Sequence, residues 1–192
     1  MLEEKVVQST NGRYAEKQDY SLPIANTSAV SFGLGLLPTI PFVIAFSLLW
    51  GWPWQPMENF VVALGLFWLA LLGGVVVHEL LHALTWMVAG RKPLRTMAFG
   101  VKWRTFTPYA HCREPMAAWA YRLGVAMPAL ILGIVPMLAG LATANGWLLF
   151  FGILFTIAAG GDFLVLWSLR GVNGRSQVAD HPQNAGCIVY AE

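Results

Sequence analysis

The feature that most constrains this chain is a stretch of 32 residues, Asn59 to Gly90, with no Lys, Arg or Asp and with ionisable side chains only at His78, Glu79 and His82. A hydrocarbon layer is crossed by about 20 consecutive apolar residues in a helix, so this run is long enough to span. Three similar runs accompany it, from Ala29 to about Trp50, from about Met116 to Ala142 and from about Trp147 to Arg170. Of the 192 residues, 57% are hydrophobic and 11% charged, against roughly 45–50% and about 25% in soluble domains. A soluble fold has no interior that could hide this surplus, so a lipid bilayer is the expected surrounding. The net charge of +2 is too small to point to a polyanion, and no nucleic-acid partner is expected.

These runs predict an all-α membrane protein of four transmembrane helices over residues 29–170. Polar tails are expected at 1–28 and 171–192. Pro38 and Pro41 interrupt the first span, Pro128 and Pro136 the third, and each removes a helix hydrogen-bond donor. Trp52 and Trp54, in a Gly- and Pro-rich turn after span one, suit a membrane interface. Between spans two and three, Arg91, Lys92, Arg95, Lys102, Arg104 and Arg113 gather in one loop, while the loops after spans one and three carry no Lys or Arg. The positive-inside rule places that loop, and with it both chain ends, in the cytoplasm. Within it Phe99, Val101 and Trp103 alternate with Gly100, Lys102 and Arg104, the period of a half-exposed strand. A short cytoplasmic β-hairpin against the membrane is expected, and its edge could receive an extended substrate. Cys112 and Cys187 lie outside the apolar runs at no metal or redox spacing and read as free thiols.

Ionisable groups at membrane depth cost roughly 2.5–3.5 kcal/mol each and usually mark function. Here they are few: His78, Glu79 and His82 in span two and Asp162 in span four. On a helix His78 and His82 share a face, one turn apart, so both imidazoles can hold one metal ion. In His78-Glu79-Leu80-Leu81-His82 the glutamate sits beside that face, where it can take a proton from water activated on zinc. The alternative is a pair of histidines hydrogen-bonded between helices, with Glu79 neutral or paired.

A catalytic zinc has three protein ligands and an open position. Asp162 is the favoured third ligand: it lies eight residues before the end of span four, as His82 lies eight before the end of span two. Eight helical residues are about 12 Å, which sets the two groups at similar depth. Gly160 and Gly161 before it allow close helix approach or local unwinding. His111 is the reserve third ligand, His181 reads as a solvated residue, and Arg122 as a snorkelling one.

The motif His78-Glu79-Leu80-Leu81-His82, one reverse-running span, and then Gly160-Gly161-Asp162 resemble the core of the site-2 protease type of intramembrane metalloprotease. From span two to Asp180-His181-Pro182 and Gly186-Cys187 the chain more closely resembles the small bacterial membrane proteins grouped as zincin peptidases from their HExxH motif. The resemblance implies His78 and His82 as zinc ligands, Glu79 as the catalytic base and Asp162 as the third ligand. It departs from the site-2 group at Phe163, where those enzymes carry a glycine after the aspartate. The expected activity is zinc-dependent hydrolysis of a membrane-associated polypeptide near the cytoplasmic face of a bacterial membrane. The rival expectation is a non-catalytic membrane protein in which the same residues hold a structural metal or line a metal or proton path.

Overall fold

The computed structural model describes residues 16–20, 24–51, 59–102, 107–181 and 186–191. The Trp52 and Trp54 turn, Trp103 and Arg104 of the hairpin, and the polar residues before Glu16 lie outside them. The chain is mainly helical. Helix α1 (Ile24–Leu36) passes through a 3₁₀ turn, Leu37–Thr39, into α2 (Ile40–Trp50). Helix α3 (Phe60–Ala89) runs unbroken for 30 residues. Helix α4 (Ala118–Pro128) continues through a π-helical segment, Ala129–Ile134, into α5 (Val135–Thr143). Helices α6 (Gly146–Ala158) and α7 (Gly160–Ser168) are bent by 45° at Ala159.

Three of these helical stretches, 28–50, 60–89 and 118–143, are long and apolar enough to cross a membrane, and the bent pair α6–α7 makes a fourth if it is one span. The irregularities fall where the sequence removes a donor or adds freedom: the 3₁₀ turn at Pro38, the π segment after Pro128, the bend just before Gly160. Large apolar side chains face outward along the helices, with Leu48, Val61 and Val88 each about 80% exposed. Water would not tolerate that surface; lipid does.

Two small sheets sit with the helices. Strands β2 (Met97–Lys102) and β3 (Thr107–Cys112) form the expected hairpin, with Phe99 opposite Ala110 and Ala98 opposite His111. The second sheet was not foreseen. Strands β1 (Glu16–Asp19), β4 (Met116–Ala117), β5 (Gln177–Asp180) and β6 (Cys187–Ala191) are antiparallel in the order β1-β6-β5-β4. Three of these strands come from segments expected to be polar tails. Short runs such as Gln177-Val-Ala-Asp180 show their burial only when paired: Val178, Ala179, Cys187 and Val189 are buried on the helices. Val178, Cys187 and Val189 join Trp86, Met116, Tyr121 and Leu169 in the larger core of the molecule. A smaller core, Phe46, Met137 and Leu149, ties α2, α5 and α6 together.

Arg122 does not snorkel to solvent. Its guanidinium donates to the carbonyls of Leu169 and Val172 just beyond α7, where a helix leaves carbonyls unsatisfied. The charge thus fastens the end of α7 to α4 and carries the chain into the sheet.

Candidate metal centre

Helix α3 presents His78 and His82 one turn apart, with ring centroids 4.9 Å from each other. Helix α7 brings Asp162 against both. Gly160 at the start of α7 packs on α1: a Cβ there would strike the backbone carbonyl of Ser31, so only glycine lets α7 and α1 close at the bend. Asp162 then falls in the first turn of α7, where the helix dipole favours a negative charge.

The carboxylate spans the two imidazoles, with Oδ2 at 3.3 Å from His78 Nε2 and Oδ1 at 3.5 Å from His82 Nε2. One ligand atom from each of the three residues lies within 4.8 Å of the others, so the group could hold a metal ion. Zinc bonds to nitrogen and oxygen of about 2.0–2.1 Å at tetrahedral angles set ligand atoms about 3.3 Å apart. The two nitrogen–oxygen separations, 3.3 and 3.5 Å, are close to that.

Two further observations fit a cation between these groups. His82 Nδ1 lies 2.9 Å from the carbonyl oxygen of Gly124, and both are buried. A carbonyl can only accept, so Nδ1 carries a hydrogen, and the neutral ring then turns its Nε2 lone pair toward the Asp162 carboxylate. In that tautomer two electron-rich atoms face each other, an arrangement that suits a cation between them. In addition, Asp162 Oδ2 is buried with no partner besides the His78 ring nitrogen at 3.3 Å, whereas buried carboxylate oxygens are normally well satisfied. A metal ion answers both.

Glu79 lies beside this face, and the backbone amide of Ala110 on β3 hydrogen-bonds its carboxylate. The hairpin is thereby pinned over α3. Between them opens a cavity of about 870 Å³, with His78, Glu79, His82 and Asp162 on one side and Tyr109, Ala110 and His111 on the other.

His111, the reserve ligand, is not in the metal group. Its Nδ1 is 3.6 Å from Asp180 Oδ2. Asp180 also accepts from Tyr121 Oη at 2.6 Å and from the Cys112 amide at 2.7 Å, and burial pushes its carboxyl above the usual range. His181 lies 3.7 Å from Asp19 across the sheet. Sequence reasoning gave no role to Asp180, quoted only for the family resemblance, or to Tyr121, and missed the stack of His82 on Trp86 and Trp86 on Tyr121, each at 5.5 Å. The signal for the stack was present, since Trp86 lies one turn beyond His82.

Comparison with known proteins bears on this geometry. Residues 71–176, just over half of the chain, match a family model described as "Putative zincin peptidase". The chain belongs to that family. The matched stretch contains His78, Glu79, His82, the hairpin and Asp162, and stops short of β5. No curated protein and no solved structure matches the chain, so the likeness to site-2 proteases rests on the motif and span order alone. The zincin name implies zinc, and the donor set of two imidazoles and one carboxylate suits that ion.

Proposed function

We propose that this protein is a membrane-embedded zinc metallopeptidase that hydrolyses a peptide bond of a membrane-associated polypeptide near the cytoplasmic face of a bacterial membrane. The observation that carries the reading is the convergence of His78, His82 and Asp162 beside Glu79, at the wall of an open cavity. His78, His82 and Asp162 would hold the ion. Bound there, zinc supplies Lewis acidity, polarising a carbonyl oxygen and acidifying water.

The rest falls to the chain's own groups. Glu79 takes a proton from the attacking water as its oxygen bonds to the carbonyl carbon. It returns the proton to the departing nitrogen as the C–N bond breaks, and the second water proton follows to the amine, leaving a carboxylate and an ammonium group. The Ala110 amide orients Glu79 for both transfers. The same contact has a consequence for substrate. On the outer edge of β3, Ala110 N–H serves Glu79, Cys112 N–H serves Asp180, and Pro108 has none. Strand β2 pairs only with β3 among the described residues, so its outer edge is the open one for an extended chain. The basic residues from Arg91 to Arg113 support a cytoplasmic hairpin.

A structural metal site is closed by four protein ligands. Three converge here among the described residues, which favours catalysis over the non-catalytic alternative. Metal analysis of the purified protein beside Glu79→Gln tests the assignment. About one zinc per chain is expected in both proteins, with cleavage of a single-span reporter polypeptide, followed by mass spectrometry, only in the first. Loss of zinc from a folded Glu79→Gln protein would make the glutamate a ligand and end this mechanism.

A further inference from the structure

The hydrogen bond that orients His82 comes from an unusual acceptor. In a regular helix the carbonyl of residue 124 would accept from the amide of residue 128. Residue 128 is proline, which has no N–H, and whose ring also crowds the carbonyl four residues before it. The Ala129 amide does not take over this bond, since it turns to Ala126 O, and the chain continues as π-helix. The Gly124 carbonyl is left without its regular partner, and His82 Nδ1 meets it at 2.9 Å. Gly124 has a second part in this. A Cβ at that position would run into the Trp86 indole, the ring that stacks on His82 and donates from Nε1 to Tyr121 O at 3.1 Å. Helix α3 can therefore lie this close to α4 only against glycine.

We propose that Pro128 is a positioning residue for the metal centre: by withholding an amide and tilting the Gly124 carbonyl off the helix axis, it dedicates that carbonyl to His82 and presents Nε2 to the ion. The inference rests on the metal-site reading above. It accounts for a proline in the middle of a span, where its loss of a backbone hydrogen bond would otherwise only weaken the helix. Partners of this kind behind a metal-binding histidine usually change metal affinity about 10–100-fold when removed.

Pro136 provides the control. It interrupts the same span, but the carbonyl four residues before it, on Leu132, receives no side-chain hydrogen bond among the described residues. Two quantities are measured on the full chain in detergent. One is zinc affinity, by competition with a chromogenic chelator. The other is the tautomer of His82 in metal-free, histidine-labelled protein, from imidazole ¹⁵N shifts at a pH where the ring is neutral. Wild-type His82 is expected to carry its hydrogen on Nδ1. Pro128→Ala, which restores the amide, is expected to weaken zinc binding about tenfold or more and to mix the tautomers. Pro136→Ala should stay within about twofold of wild type. Pro128→Ala binding zinc as wild type does would overturn the proposal, as would equal weakening by both substitutions, which signifies general loosening of the span. Should Pro128→Ala fail to assemble, the wild-type tautomer decides, and hydrogen on Nε2 refutes the proposal. Absence of zinc binding from wild type strikes the metal reading instead, with the tautomer still measurable.

Discussion

Asp162→Asn separates a ligand from a structural carboxylate, because only a ligand makes the effect depend on zinc. In metal-free protein Asp162 lies between the two imidazoles, with Oδ2 3.3 Å from His78 Nε2 and Oδ1 3.5 Å from His82 Nε2. A hydrogen bond of this kind contributes about 1 kcal/mol. The asparagine keeps one acceptor oxygen and can turn its NH₂ toward the other ring, so the metal-free variant is expected to lie within about 1 kcal/mol of wild type. With zinc the two separate. Four-ligand sites bind zinc with about 10–16 kcal/mol, or roughly 3 kcal/mol per ligand, so losing the carboxylate weakens affinity by about two orders of magnitude. At a zinc concentration about 1,000 times the wild-type Kd, binding stabilises wild type by about 4.1 kcal/mol and the variant by about 1.4 kcal/mol. Thermal unfolding in detergent, with and without zinc, reads both effects. His111→Ala is the control and should leave the zinc-dependent shift intact, since His111 pairs with Asp180 outside the ligand group. If Asp162→Asn lowers stability equally in both conditions, the carboxylate holds the fold and not the ion.

Cysteines placed at Asn59 and Arg113 should label from opposite sides of the membrane, because one precedes and the other follows the 30-residue helix α3; labelling from one side would refute the topology. The native thiols should not interfere. Cys112 and Cys187 are buried, and burial, helped at Cys187 by Asp180, raises both thiols, that of Cys187 to about 12, so maleimide at about pH 8 should modify them only after denaturation. Rapid native labelling would contradict that burial. Asp180 has its own pH signature. Burial raises its carboxyl, so the native chain keeps a proton that the unfolded chain has already lost. The group therefore adds stability as the pH falls through the interval between the two values and withdraws it as the pH rises. Asp180→Asn should flatten that limb of the stability profile, above the ordinary carboxylate range, and cost about 1 kcal/mol, since Tyr121 Oη and the Cys112 amide both need an acceptor. An unchanged profile would show that Asp180 does not titrate there.

The sequence showed the apolar helices plainly because lipid imposes a length and a composition at once; α3, expected over 59–90, spans Phe60–Ala89. The hairpin was legible from alternation over Phe99 and Val101, a pattern that survives at the surface. The second sheet was not. Its strands are two to five residues long, too short for periodicity, and they are assembled from both ends of the chain, so only tertiary pairing reveals them. At the site, cost was the guide. His78, His82 and Asp162 stood out because each is expensive where it lies, and the matching distances to the span ends put them at one depth. Asp180 carried no such mark. It lies among other polar residues, and its importance comes from Tyr121 and Cys112, 59 and 68 residues away.

The same contrast explains why the backbone groups around the candidate metal site were invisible. A carbonyl is present at every residue, so Gly124 gives no compositional signal; what distinguishes it is the absence of a donor four positions later. Pro128 was read as a kink, which describes its effect on the helix axis but not on hydrogen bonding. In lipid an acceptor deprived of its helical partner must find another inside the protein. The Nδ1–H of His82, at 2.9 Å, is that partner, and the histidine in turn needs an acceptor to leave Nε2 free for metal. Each group resolves the other's deficit. A proline in a membrane helix is thus evidence about the carbonyl four residues before it, and about whichever polar side chain the neighbouring helix sets against that carbonyl.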